Sequence, residues 1–176
     1  GKYYTLENYN IVPKPVQKPP PIWIAVSPDR EQVGDKIVDQ AMRRVGLLAD
    51  GYITMGVTAE ELAKRLRIIE QTAQEIGKDL ANFEVAIHGM VNINDDRQLA
   101  YRQSKDYFNH YYGPSYPPED LIKVWLAHGP PQDCAELIQE WLDMGITTPV
   151  LRFTSQDQPG QVKRFVDEVL PLLRLK

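Results

Sequence analysis

Apolar residues follow two patterns that take turns along the chain: continuous runs typical of buried strands, and helical spacing typical of amphipathic helices. The run Ile22–Val26 is continuously apolar and rich in β-branched residues, which is typical of a strand buried on both faces of a parallel sheet. Three more strands are predicted at 52–55, 83–93 and 149–153. Because helical segments separate the four strands, the order predicts right-handed crossovers and a parallel sheet.

The helical segments have apolar residues on one face. In the first, about 35–49, that face consists of Ile37, Val38, Ala41, Met42, Val45 and Leu48. The second begins at the capping box Thr58–Glu61 and ends at Gly77. Further helices are predicted over about 95–111, with Asp95 as its cap, and over about 119–127, 131–144 and 158–173.

The spacing of the strands indicates four β/α units. Two of the three intervals are ordinary, and the third is about twice as long because of a helical insertion at about 95–130. A complete TIM barrel, (β/α)8, needs about 250 residues. The sequence therefore predicts an α/β fold that is half of such a barrel, with a small open α/β sandwich as the alternative. We expect one domain over 1–176, with a proline-rich extended lead-in at 1–21 and the four units in 22–176.

Composition narrows the classes of partner and chemistry. The net charge is −4, and no stripe of lysine and arginine indicates binding to nucleic acid or to an anionic membrane. No apolar run approaches the roughly 20 residues of a membrane helix. The single cysteine, Cys134, excludes an internal disulfide and fits a cytoplasmic location. We expect no metal, no Rossmann dinucleotide site and no nucleophile elbow, because their motifs are absent.

Four segments resemble the luciferase-like flavin monooxygenase family, in the family's order and over nearly the whole chain. Gly1–Tyr4, with the proline-containing stretch up to Ile24, resembles the approach to barrel strand five. Arg43–Tyr52 resembles the step from helix to strand six, and Val91–Arg97 the exit of strand seven. Phe165–Pro171 resembles the closing helix. No single segment is specific, but together they identify the chain with the C-terminal half of this family's barrel.

The resemblance implies a flavoprotein oxidoreductase. The family binds FMN, with deazaflavin as the alternative cofactor, at the C-terminal mouth of the barrel. It acts on small organic substrates, by oxygen activation or hydride transfer. Members form homo-oligomers, and several take reduced flavin from a separate NAD(P)H reductase. Since the chain also opens at Gly1 without methionine, we expect part of a longer enzyme, inactive without the first four strands.

Candidate cofactor contacts lie where the first two predicted strands end, because barrel sites form at the carboxyl ends of the strands. The Ser27 hydroxyl is a candidate phosphate ligand, although Pro28 removes one backbone N–H, and a simple turn cap is the alternative. Thr54 is a candidate hydrogen-bond partner of a flavin ring edge. Met55 either packs on the ring or simply lines the barrel.

The other candidates lie on the last two predicted strands. Strand alternation places His88 on the same face as Ala86 and Met90. In the barrel interior it would be a catalytic proton donor or a hydrogen-bond partner of the flavin, with a structural histidine as the alternative. Arg152 and Thr154 lie where barrels often bind phosphate, so they compete with Ser27 for that role. Arg152 either binds the phosphate or pairs with a carboxylate such as Asp157.

Three functions remain open from the sequence alone. The first is a flavin-dependent oxidoreductase whose barrel is completed elsewhere. The second is a non-catalytic half barrel that self-associates through its open edges. The third is a different barrel enzyme acting on a phosphorylated substrate.

Overall fold

The computed structural model describes residues 1–114 and 116–175, and its strands form one parallel sheet. The strands are β1 (Trp23–Ala25), β2 (Gly51–Thr54), β3 (Glu84–Ile93), β4 (Leu126–Gly129) and β5 (Thr148–Phe153). They pair in the order β1-β2-β3-β4, and β5 pairs with β3. Every pair is parallel, as the sequence predicts.

Helices connect the strands. They are α1 (Arg30–Val33), α2 (Asp35–Leu48), α3 (Ala59–Glu75), α4 (Arg97–Tyr112), α5 (Glu119–Trp125), α6 (Pro131–Asp143) and α7 (Gln158–Arg164). The last helix continues as a π-helical turn, Phe165–Val169, and a 3₁₀ turn, Leu170–Leu172. Residues 1–21 are exposed and contain neither helix nor strand.

Strand β3 is central because its ten residues pair with three other strands. The N–H of Glu84 donates to the segment of β2, and the N–H of Asn94 donates to the segment of β4. The carbonyls of Val85 and Val91 accept hydrogen bonds from the segment of β5. In a parallel pair, the N–H and C=O of one residue point to the same neighbour. Strands β2 and β4 therefore share one edge of β3, along its lower and upper halves, and β5 occupies the other edge.

The two faces of β3 have different surroundings. Its odd-numbered residues pack under the outer helices α2, α3 and α6 in the main core, which includes Val38, Met42, Val45, Leu62, Ile69, Val85, Ile87, Val91, Ile138 and Trp141. The even-numbered residues face the opposite way, toward the interior of a barrel. There, Met90 is buried in a second cluster with Phe108, Ile122, Trp125 and Leu126 of the segment from α4 to β4. That insertion therefore covers the upper inner face of β3.

Three local predictions need correction. The predicted helix 119–127 ends at Trp125, and the residues after it form the short strand β4. Asp96, not Asp95, caps α4, because its side chain accepts the N–H groups of Gln98 and Leu99 while Asp95 pairs with Arg164. The apolar stripe of α2 is buried at Val38, Met42 and Val45, but Ile37 and Leu48 are exposed.

Helices α2 and α3 cross closely at Gly46. A Cβ atom at this position would lie 2.7 Å from the Ile69 carbonyl oxygen and 2.9 Å from Thr72 Cβ. We expect Gly46→Val to lower the free energy of unfolding by about 2 kcal/mol, because backbone atoms on α3 must shift. Urea unfolding measures the loss, and Gln40→Val at an exposed position of α2 is the matched control, expected to change it by less than about 0.5 kcal/mol. Equal losses would contradict the close crossing.

Candidate functional site

The carboxyl ends of the parallel strands lie at one end of the sheet. The residues predicted to form the site belong to two groups of strands. Ser27, Thr54 and Met55 lie at the ends of β1 and β2. His88, Arg152 and Thr154 lie on β3 and at the end of β5. Met55 contacts the second cluster beneath the insertion, so it is the member of the first group that approaches β3.

The hydroxyls of the first group are engaged in a chain of hydrogen bonds. Ser27 Oγ donates to the Met55 carbonyl at 2.8 Å, and Thr54 Oγ1 donates to Ser27 Oγ at 3.1 Å. Thr54 Oγ1 also accepts from Arg65 at 3.1 Å. Ser27 is exposed whereas Thr54 is 2% exposed, so only Ser27 is open to a ligand in this arrangement. Both assignments to cofactor binding stay predictions.

Arg65 organises these strand ends, although it is not among the residues predicted from the sequence. Its side chain is 4% exposed and donates to Tyr52 Oη at 3.0 Å and to the Pro28 carbonyl at 2.7 Å, in addition to Thr54. Glu61, one helical turn earlier on α3, accepts from Arg65 Nε at 2.9 Å. In the sequence, this pair has the spacing of an ordinary surface ion pair, so no local signal indicated its burial.

His88 is half-buried on the inner face of β3. Its ring meets Trp125 edge-on, with 6.0 Å between ring centroids. Burial, followed by the nearby charge of Arg152, lowers the pKa of His88 below its usual value, so the imidazole is neutral at neutral pH. The backbone carbonyl of His88 lies on the edge of β3 between β2 and β4, and it accepts from Trp125 Nε1 at 2.7 Å.

Arg152 contacts aromatic rings rather than a carboxylate. Its guanidinium lies 4.1 Å from the ring centroid of Tyr111 and 5.7 Å from that of Tyr107. In the described part of the chain, no carboxylate lies within ion-pair distance of Arg152. Asp157, the partner considered in the sequence analysis, caps α7 by accepting the Gly160 N–H at 3.0 Å. Arg152 is therefore a cation whose charge remains available to an anion.

Thr154 is fully buried beneath α4. Its hydroxyl lies 2.7 Å from Ser104 Oγ, and its carbonyl accepts from Asn92 Nδ2 at 3.1 Å. The other side-chain atom of Asn92, Oδ1, is buried with no hydrogen-bond partner among the described residues. A role for Thr154 as a cofactor ligand stays a prediction, and in this arrangement α4 stands between its hydroxyl and solvent.

Two other features, a metal-binding cluster and a membrane-spanning helix, are absent from the described residues. No group of three or more histidine, cysteine, aspartate or glutamate side chains is placed to hold a metal ion. None of the described helices combines the length and apolar character required to cross a bilayer.

Comparisons with known proteins agree with the fold. A family model described as luciferase-like monooxygenase matches residues 1–148. The F420-dependent glucose-6-phosphate dehydrogenase of Beutenbergia cavernae is 22% identical over 195 residues, covering 100% of this chain and 55% of that protein. A solved F420-dependent secondary alcohol dehydrogenase, in complex with an F420–acetone adduct, has a TM-score of 0.74 at 19% identity, covering 99% of this chain and 55% of that one.

The fold of a third protein is also similar to that of this chain. The coenzyme F420-dependent tetrahydromethanopterin reductase of Methanopyrus kandleri has a TM-score of 0.66 at 16% identity, covering 99% of this chain and 57% of that one. The predicted α/β fold with parallel strands, as in one half of a TIM barrel, is thereby confirmed, although the sheet has a fifth strand, β4, within the predicted helical insertion. The chain spans about half the length of the curated relatives it matches.

Proposed function

We propose, from the premise that this chain belongs to the luciferase-like monooxygenase family, that it supplies one half of the active site of a deazaflavin-dependent oxidoreductase. From the sequence alone, FMN is the first expectation for the cofactor and deazaflavin the second. Curated relatives named as F420-dependent favour the second, since F420 is a deazaflavin. FMN, with a separate NAD(P)H reductase supplying its reduced form, is the alternative.

The observation that carries the proposal is the state of Arg152. A guanidinium at the carboxyl end of a barrel strand, without a carboxylate partner among the described residues, suits the anionic side chain of a flavin or deazaflavin. Around it, the inner face is exposed or half-buried at Ala25, Ile53, His88 and Val150. These residues fit one side of a planar ring system. Residues outside this chain would cover its other side.

Each side chain would have a distinct task. Arg152 would bind the cofactor's anionic group, and Met55 would pack against its ring. His88, kept neutral by burial, would offer an imidazole nitrogen to exchange a proton with the substrate's oxygen. When bound, a deazaflavin supplies hydride transfer; the protein orients it and excludes water. A small organic alcohol or carbonyl compound is the substrate class that this pairing of hydride and proton transfer suits.

Titrating F420 and FMN separately into the purified protein tests the proposal. We expect F420 to bind more tightly than FMN, and Arg152→Gln to weaken F420 binding about tenfold or more, since a hydrogen bond to a charged group contributes roughly 1.5–3 kcal/mol. Arg102→Gln, which removes an exposed arginine from α4, is the control and is expected to have less than a twofold effect. Calorimetry gives both affinities. Equal losses in the two variants would sink the assignment.

A self-associating half barrel is the second candidate, and the uncovered inner face favours it. Trp23 is 36% exposed and Val150 40% exposed on a face that parallel sheets normally bury. In this case the functional form is a homo-oligomer that covers these residues. Analytical ultracentrifugation of the wild type and of Val150→Lys distinguishes the two candidates. A monomeric wild type that binds F420 excludes the scaffold. A wild-type oligomer that binds neither cofactor, and that Val150→Lys dissociates, supports it.

A further inference from the structure

The charged end of Arg152 lies over two tyrosine rings of α4, and Tyr111 makes the closer contact. The guanidinium is 4.1 Å from the ring centroid of Tyr111 and 5.7 Å from that of Tyr107. Both distances are within the roughly 6 Å of a cation–π interaction. Since no carboxylate of the described residues pairs with Arg152, the rings rather than an ion pair hold its charged end.

The two rings are themselves fixed by their neighbours on α4. Tyr107 and Tyr111 are one helical turn apart, and their rings are parallel within 6° at 6.0 Å between centroids. Tyr112 meets the Tyr111 ring edge-on at 4.6 Å, and the buried Phe108 meets the Tyr107 ring edge-on at 6.2 Å. Phe108 in turn stacks on Trp125. The surface that Arg152 contacts is therefore anchored on the core.

The same rings lie within the candidate cofactor site. Tyr107 and Tyr111 line a cavity of about 690 Å³ between α4 and the loop after β5, and Thr154 lines it too. The Thr154 N–H continues the ladder between β5 and β3 by donating to the Val91 carbonyl. Because Thr154 and Arg152 are two positions apart on this ladder, their side chains leave the same face of the sheet. The rings therefore stand beside the charged group of that site.

An arginine held against a ring can still bind an anion. The N–H donors of a guanidinium lie in its plane, so a ring that contacts its face leaves them free to donate. An unrestrained arginine side chain loses rotamer freedom when it binds a ligand, and this loss weakens binding. Contact with a fixed ring removes part of the loss before the ligand arrives.

We propose that Tyr111 is a positioning residue for Arg152, and that its ring, braced by Tyr107 and Tyr112, holds the guanidinium ready for the anionic group of the cofactor. The inference rests on the proposed cofactor-binding function and adds to it a residue that acts through Arg152. The effect of Tyr111 should therefore be confined to anionic ligands and should require Arg152.

A double-mutant cycle tests this dependence, with F420 titrated into the full chain by calorimetry. Tyr111→Leu is expected to weaken F420 binding about fivefold, because the ligand must then order the arginine itself. In the Arg152→Gln background, Tyr111→Leu is expected to weaken binding by less than about twofold. Equal fold losses in the two backgrounds overturn the proposal, because they show an effect of the ring that does not pass through Arg152.

Three further comparisons separate positioning from packing. Tyr111→Phe keeps the ring and is expected to retain F420 affinity within about twofold. The corresponding deazariboflavin has the ring system but no anionic side chain, and Tyr111→Leu is expected to change its affinity by less than about twofold. Tyr101→Leu is the control on the same helix, because it removes a ring that contacts His128. A loss of F420 affinity in Tyr101→Leu equal to that in Tyr111→Leu overturns the proposal, since disturbed packing of α4 would explain both.

NMR of the free protein tests the contact without any cofactor. Tyr111 is 56% exposed, so its replacement is expected to leave the fold intact. An aromatic ring shifts the signals of protons over its face, so Tyr111→Leu is expected to move the side-chain signals of Arg152 and Tyr101→Leu to leave them. Unmoved Arg152 signals in Tyr111→Leu overturn this inference alone. A wild type that binds neither F420 nor FMN overturns the proposed function and, with it, the inference.

Discussion

Replacing Trp125 by alanine is expected to lower the free energy of unfolding by about 3–5 kcal/mol. The Trp125 side chain is fully buried and stacks on Phe108 at 5.7 Å between centroids, with the ring planes 7° apart. Its removal leaves a cavity between the insertion and β3, and it also leaves the His88 carbonyl without its indole donor. Denaturant unfolding, followed by far-ultraviolet circular dichroism, measures the loss.

Two comparisons separate the contributions in that prediction. Trp125→Phe retains most of the ring packing and loses the hydrogen bond, so we expect a loss of about 1–3 kcal/mol. Trp23→Ala removes a tryptophan that is 36% exposed on β1, and it is expected to cost clearly less than Trp125→Ala. If the two alanine variants lost the same stability, the insertion would not be anchored on β3 as described.

The segment around Trp125 also shows which part of the fold could not be predicted from the sequence. Local apolar runs were enough to predict four of the five strands. The helices between those strands were enough to predict that they are parallel. Strand β4 has four residues that follow a helix directly, so its apolar run extended the predicted helix. Only the open upper edge of β3, a tertiary feature, makes these residues a strand.

The site residues divide in the same way. Their location at the carboxyl ends of strands follows from parallel topology and was predicted. Their availability to a ligand depends on neighbours distant in sequence: Ser104 covers Thr154, and the rings of α4 contact Arg152. The adjacent Asp95 and Asp96 show the same limit, because a contact with Arg164 about 70 residues later determines which of them caps α4.

The pair of Glu61 and Arg65 is the second place where a single change should have a large effect. We expect Glu61→Gln to lower the free energy of unfolding by about 2–4 kcal/mol, because it leaves the charge of a guanidinium that is 4% exposed without its carboxylate. Gln preserves the length of the side chain and the helix start. Urea unfolding at pH 7 measures the loss.

The same helix contains the control for this prediction. Glu60 and Lys64 have the same spacing as Glu61 and Arg65, but their side chains are 78% and 45% exposed. Because water screens an exposed pair, Glu60→Gln is expected to change the free energy of unfolding much less than Glu61→Gln does. A large difference between neighbouring substitutions would show that burial, not sequence spacing, gives the Arg65 pair its strength.

Arg65 also joins the Pro28 carbonyl to Thr54, so Glu61→Gln should additionally loosen the ends of β1 and β2. This is measurable as faster hydrogen exchange at Val26, whose N–H donates to the Ile53 carbonyl. Equal small losses in both variants, with unchanged exchange, would show that the network does not fix the strand ends.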